Sequence, residues 1–272
     1  MDLKEIDQGK NMPWCVIATM GMTPPPVTEF LDYLAFEKGK EISKLVVIET
    51  SSESVKQNTE VVRIALKHKR REGVEKYLRT KFERISLPFD DISTEEDNLS
   101  FLETCSAVIR KEKMDNNGKV LLNVSGGRKN MCITLSMLGA IMNVRGVYHV
   151  VSEDPGINIE LEQVRPIIKE IYEAEDEEEK LRIYEENSDV LNRVLFQRKG
   201  IRVLRIPTLP YPDEWISNLR ETLSSRRISG LGSNEVELLE LHGVLKRRGL
   251  TGRSRSIRLT DFGETLRRVF SG

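Results

Sequence analysis

Between the N-terminus and about residue 170, short apolar runs alternate with longer amphipathic segments, a pattern that restricts the chain to helices crossing over between parallel strands. The apolar runs fall at 14–19, 45–49, 82–87, 120–124 and 147–151, bounded by Gly, Pro, Ser or Asp. They are apolar without polar alternation and so predict strands covered on both faces. Between them, 27–38, 54–69 with a continuation to 79, 97–113 and 129–143 repeat apolar residues at helical spacing. In the third, Leu99, Leu102, Ala107, Val108 and Ile109 mark one face, and Glu103, Arg110, Lys111 and Glu112 largely the other. The expected fold class is α/β: a Rossmann-like, mainly parallel sheet sandwiched by helices.

A chain of 272 residues, 39% hydrophobic and 31% charged, is long enough for a large domain and a small one. The expected division is 1–170 for the sheet, 171–212 for a helical linker and 213–272 for the small domain. The linker opens on the acidic stretch 173–179, which reads as a solvated helix face leading into a helix through Leu195. It closes on a proline-rich connector at 207–212, and a further helical segment follows from Trp215 to about Ser225. Net charge is only -1, from 42 Lys plus Arg against 43 Asp plus Glu, so the whole-chain value says nothing about an anionic partner. Its distribution says more, because residues 226–272 hold ten Lys or Arg against five Asp or Glu.

No apolar run approaches the ~20 residues of a membrane-spanning helix, and the first dozen residues lack the apolar stretch of a secretory signal, so a cytoplasmic protein is expected. Cys15, Cys105 and Cys132 are widely spaced in apolar surroundings and read as small core residues. With His68, His149 and His242 also scattered, neither a metal site nor a cofactor is expected.

The chemistry concentrates in Val-Ser-Gly-Gly-Arg-Lys-Asn-Met at 124–131, where a buried strand ends, two glycines turn the chain and a helix begins near Lys129. Backbone amides of such a turn and of the first helical turn point outward unpaired, and with the helix dipole they favour an anion. Gly126 and Gly127 admit close approach, Arg128 and Lys129 add charge, Ser125 a hydroxyl and Asn130 an amide. The spacing is neither that of a nucleoside-triphosphate loop nor that of a dinucleotide fold. A tight strand-to-helix turn with exposed basic residues is the alternative. Open α/β sheets, however, bind ligands on this edge.

Two more loops share that edge. The first strand opens into Met20, Gly21, Met22, Thr23 and three prolines; Gly21 permits a sharp turn, and Thr23 is either a cap or a ligand contact. The second strand is followed by Thr50, Ser51, Ser52, Glu53 and Ser54, which supply a helix cap, ligand contacts such as Ser51, or both.

The pairing of Ala-Thr-Met-Gly-Met-Thr-Pro after the first strand with Ser-Gly-Gly-Arg-Lys-Asn-Met after the fourth resembles the CRISPR-associated Rossmann-fold domain, which senses cyclic oligoadenylates. It is most similar to the CRISPR ring nucleases, with their Thr-x-Gly-x-Ser/Thr-Pro and Gly-Gly-Arg-Lys loops. The resemblance covers residues 12 to about 165. Residues 213–272 resemble a winged helix-turn-helix, with a helix at 235–248, a basic Arg/Ser stretch and Leu259-Thr260-Asp261-Phe262-Gly263 entering a final helix.

This resemblance implies a homodimer whose two pockets meet on a two-fold axis around cyclic tetraadenylate (cA4). It further implies metal-independent cleavage, in which a ribose 2′-hydroxyl attacks the adjacent phosphate and type III CRISPR antiviral signalling is switched off. Lys129 would stabilise the developing charge, Gly126, Gly127 and Arg128 would hold the phosphate, and Thr23 or Thr19 would position the ribose. Gly21, Met22, Ser51, Ser125, Asn130 and Met131 complete the expected ligand set. A ligand-gated transcriptional regulator is the alternative, with Arg247, Arg248, Arg253 and Arg255 on DNA phosphates. An effector RNase is disfavoured, since no Arg-x-x-x-x-His pattern occurs in this region and His242 reads as a structural helix residue between core positions Leu241 and Val244.

Overall fold

Every residue of Trp14–Thr19, the first strand (β1), is buried in this computed structural model, which describes residues 13–153, 156–196, 200–209, 211–247 and 256–270. Trp14, Val16 and Ala18 face one layer of helices, and Cys15 and Ile17 the other, as the two-residue period of a strand requires. β1 pairs in parallel with β2 (Ile42–Glu49) and β4 (Val120–Asn123). β3 (Lys81–Ser86) and β5 (Gly146–Ser152) extend the sheet outward, again in parallel. The order β3-β2-β1-β4-β5-β6 places a topological switch point between β1 and β4.

Two features of the sheet differ from the expectation. No residue of β3 is fully buried, because that strand forms the edge of the sheet. The sixth strand, β6 (Ile201–Arg205), is antiparallel to β5. Its sequence, Ile-Arg-Val-Leu-Arg, is too polar to stand out as an apolar run.

On one face of the sheet lie α1 (Pro25–Asp32), continued by a π-helical turn at Tyr33–Glu37, and α2 (Glu53–Arg71), with Phe30, Leu31, Leu34, Val62 and Leu66 in the core. On the other lie α3 (Glu95–Asp115) and α4 (Lys129–Ile141), contributing Phe101, Cys105, Ile109, Leu135 and Leu138. A reciprocal capping box between Thr94 and Asp97 starts α3.

Residues 171–212, expected as a helical linker, contribute two helices and a sheet strand. α5 (Ile157–Glu173), α6 (Glu177–Glu186) and α7 (Ser188–Leu195) cover the outer side of α2, where Val61, Ile64 and Ala65 meet Leu161, Ile168, Leu181 and Leu191. The acidic stretch takes part in this packing. Glu177 pairs with Arg63 and Lys67, and Glu178 with Arg71, all on α2. Burial alone would raise Glu60, but hydrogen bonds from Arg63 and Lys180 hold it down to about 2.

Glu29 on α1 is 1% exposed, and its Oε1 has no hydrogen-bond partner. Burial, then repulsion from Asp32, pushes its carboxyl up to about 8. Below the ordinary glutamate range both folded and unfolded chains hold this proton. Between that range and about 8 only the folded chain does, so stability falls as pH rises and the loss is complete above that value. Glu29→Gln is expected to flatten this slope and to exceed the parent in urea midpoint at about pH 9, but not at about pH 4.

The C-terminal residues form α8 (Asp213–Ser225), α9 (Ser233–Leu241), β7 (Leu245–Arg247), β8 (Ile257–Leu259) and α10 (Asp261–Phe270) around a core that includes Leu223, Val236, Leu245, Ile257 and Phe270. The helix expected to reach residue 248 stops at Leu241. Gly243, at φ 67°, ends it in the left-handed conformation, and the next residues pair with β8. Val244 is buried as expected, whereas Leu241 is 75% exposed. The Leu-Thr-x-x-Gly segment works as a cap, with Thr260 Oγ1 accepting from the Gly263 amide at 3.0 Å. Arg268 binds Glu103, and Arg110 donates to the Val269 carbonyl, tying α10 to α3. Among the described residues, no helix is long and apolar enough to cross a membrane.

Candidate phosphate-binding site

The loops after β1, β2, β3 and β4 converge at the carboxyl edge of the sheet around a cavity of about 610 Å³. Its centre is a direct backbone contact between the first and fourth loops. A Cβ on Gly126 would lie 2.2 Å from the Thr19 carbonyl oxygen, and one on Gly21 would lie 2.4 Å from the Gly127 nitrogen. Both positions therefore require glycine on grounds of space. Gly127 requires it for conformation as well, with φ at 85°.

Side chains lock the same contact from behind. Thr19 Oγ1 donates to the Gly126 carbonyl at 2.6 Å and Cys132 Sγ at 3.3 Å. That carbonyl therefore points inward, and the trans peptide sends the Gly127 N–H the opposite way. Among the described residues, no acceptor takes the N–H of Gly126, Gly127 or Arg128. Lys129 and Asn130 follow as the first residues of α4, and their two amides are likewise without an acceptor among the described residues. The strand-to-helix turn thus presents a row of free donors at the positive end of a helix, an arrangement suited to an anion.

Of the residues expected at the site, Gly21, Met22, Thr23, Ser125, Gly126, Gly127, Arg128 and Met131 line the cavity. Thr23 does not cap α1, whose N-cap is Pro24, and its hydroxyl has no partner among the described residues. Ser125 lines the cavity with its hydroxyl already committed, donating to Asn123 Oδ1 at 2.5 Å and accepting from the Val150 amide at 2.7 Å. Met131 is buried beneath Gly127.

The remaining expected residues stand elsewhere. Thr19 is fully buried and acts on the turn, not on the cavity. Ser51 donates to Asp90, and Asn130 Oδ1 accepts from the Met131 amide. Lys129 is exposed beside Arg128 and outside the lining. At the far end of the chain, Arg247 donates to Glu240, and Arg248, Arg253 and Arg255 lie outside the described residues.

Sequence reasoning missed several members. Asn58 Nδ2 donates to the Gly21 carbonyl and Asn123 Nδ2 to that of Pro26, both at 2.9 Å, so two buried amides hold the first loop. Thr50 and Ser52 of the second loop line the cavity, and so do Asp90 and Asp91, which sequence reasoning missed. The acidic pair was open to the reasoning applied to the other loops, because it follows directly on the apolar run at 82–87. Arg128 Nε donates to Asp91 Oδ1 at 2.8 Å, and its Nη2 reaches Oδ2. The Arg128 guanidinium holds the Asp91 carboxyl below its ordinary range.

The model of the family described as CRISPR-associated protein NE0113 matches residues 23–234. The chain belongs to the CRISPR-associated NE0113 family. The match takes in all four loops of the cavity apart from the start of the first. No curated protein matches this family member.

Solved structures similar to this NE0113-family chain include Enterococcus italicus Csm6 bound to cyclic hexa-2′-fluoro-hexa-dAMP, at 14% identity and TM-score 0.45, covering 79% of this chain and 47% of that one. Another is Can2 from Sulfobacillus thermosulfidooxidans in complex with cyclic tetra-adenylate, at 10% identity and TM-score 0.34, covering 94% and 61%. A third is protein VC1899 from Vibrio cholerae, at 9% identity and TM-score 0.36, covering 91% and 76%. The chain thus spans about half the length of Csm6 and about three-fifths of Can2.

Proposed function

We propose that this protein binds cyclic tetraadenylate in the crevice between the β1 and β4 loops and opens the ring without a metal ion. The observation that carries this reading is the row of unpaired backbone amides at Gly126, Gly127 and Arg128, packed against the Thr-x-Gly-x-Thr-Pro loop. Membership of a CRISPR-associated family supports the antiviral setting, in which opening the ring ends a type III signal.

In the reaction, a ribose O2′ forms a bond to the adjacent phosphorus as the bond from phosphorus to O5′ breaks. The proton leaving O2′ reaches O5′ through solvent, so the product carries a 2′,3′-cyclic phosphate and a 5′-hydroxyl. The free amides hold the non-bridging oxygens, Lys129 adds charge as it develops, and the uncommitted Thr23 hydroxyl holds the ribose. Thr19 acts through the turn as a positioning residue. A ring with two-fold symmetry suits two such crevices in a homodimer. α4 supports that arrangement, because it starts at the site and leaves Ile133 69% and Met137 36% exposed.

Incubation of the protein with cyclic tetraadenylate in excess EDTA, followed by chromatography, tests the reading. Linear product ending in a cyclic phosphate is the expected result. Tight binding of an intact ring would make the protein a sensor instead, and no binding would remove the proposal.

A second reading, a DNA-binding regulator gated by the same ligand, is favoured by one observation. Lys246 and Arg258 are register partners across β7 and β8, both exposed and without an ion pair among the described residues. A ligand-dependent gel shift abolished by Lys246→Glu and Arg258→Glu together would support a winged helix working on DNA. The absence of any shift would discard this reading.

A further inference from the structure

We propose that Asp91 is a built-in competitor of the ligand phosphate for Arg128 and so sets the affinity of the site. The inference rests on the reading of the crevice as a cyclic oligoadenylate site. An anion pocket is expected to be lined by more positive charge than negative, yet among the described residues the charged ones that line this cavity are one cation, Arg128, and two carboxylates, Asp90 and Asp91. Asp91 meets the guanidinium in the two-toothed geometry with which arginine also takes a phosphate. Its carboxylate therefore stands where a phosphodiester would bind.

The pair is held loosely enough to be exchanged. The side chains are 68% and 36% exposed, and an open ion pair of this kind favours its partner by only about two- to fivefold. Asp91 is also held from its own loop, with the Ile92 amide donating to Oδ1 at 2.9 Å, so the carboxylate stays near Arg128 after displacement and can return. Asp90 has a different task, accepting from Ser51.

The counter-ions follow from this geometry. In the parent, the Asp91 carboxylate displaced by the ligand gains a cation as the phosphate loses one, so the exchange gives no net release. With Asp91 uncharged, the cation leaving the phosphate is released without replacement. The salt dependence of affinity must then steepen, by about 0.7 in the slope of log K against log salt for a single-stranded phosphate contact.

The experiment measures binding of a cyclic tetraadenylate lacking 2′-hydroxyls, which cannot be opened, over a range of salt concentrations. It compares the parent with Asp91→Asn and with Glu96→Gln, an exposed carboxylate in the first turn of α3 that serves as a charge control. Asp91→Asn is expected to bind about two- to fivefold tighter at low salt with the steeper slope, and Glu96→Gln to behave as the parent. In an Arg128→Ala background the gain is expected to vanish. If the parent binds but Asp91→Asn leaves affinity and slope unchanged, or binds more weakly, the role of Asp91 is overturned and the site reading stands. If the parent does not bind at all, the site reading fails and this inference with it.

Discussion

Gly126→Ala is expected to abolish tight binding of cyclic tetraadenylate and to lower the melting temperature. The added carbon would lie 2.2 Å from the Thr19 carbonyl oxygen and 3.1 Å from the Gly21 nitrogen, and both neighbours are backbone, so neither can rotate away. The first and fourth loops must separate, stretching the 2.6 Å bond from Thr19 to Gly126 and turning the free amides out of alignment. Overpacking of this kind costs about 1–3 kcal/mol of stability. Affinity falls further because several donors to one phosphate are displaced together, each tenfold loss corresponding to about 1.4 kcal/mol. Gly232→Ala is the control, since its Cβ would meet only a glutamate side chain at 3.4 Å. Calorimetric titration with the ring analogue, alongside thermal melts, would test this. A Gly126→Ala protein that melts and binds as the parent does would show that the loop contact is not what forms the site.

Lys129→Ala is expected to leave the melting temperature unchanged and to slow ring opening by about 10²–10³-fold, the usual effect of removing one group that stabilises transition-state charge. The residue is exposed at the start of α4, and no hydrogen bond or ion pair involves its side chain among the described residues, so nothing in the fold depends on it. Its position gives it little to do for the ground state, because it lies outside the lining and the proposed phosphate contacts are the amides beside it. The loss should therefore appear in the single-turnover rate more than in affinity. Equal rates for parent and variant would rule Lys129 out of the chemistry and return the burden to the amides. A fall in affinity matching the fall in rate would make it a binding group.

The amino-acid sequence by itself determined the sheet, the glycine turn and the edge on which a site can form. Those features are local: an apolar run of five or six residues, a pair of glycines and the start of a helix each declare themselves within a dozen residues. For the same reason β6 was hidden, and the early end of α9 in part. One depends on an edge of β5 that only the assembled sheet provides; the other had a local stop signal in Gly243, but the strand after it forms only against Ile257–Leu259. The acidic stretch before α6 reads as solvated until α2 presents Arg63, Lys67 and Arg71 to it.

Within the site the division is sharper. Composition and spacing identified which residues cluster, but hydroxyls and charges are interchangeable on paper, and only their tertiary partners separate them. Ser125, Ser51 and Thr19 spend their hydroxyls on Asn123, Asp90 and Gly126, whereas Thr23 remains uncommitted. Arg128, legible as a free cation, is balanced by a carboxylate from a loop 37 residues away. A hydrogen bond or ion pair between distant segments leaves no trace in the spacing of either, so the folded chain alone decides which donors remain for a ligand.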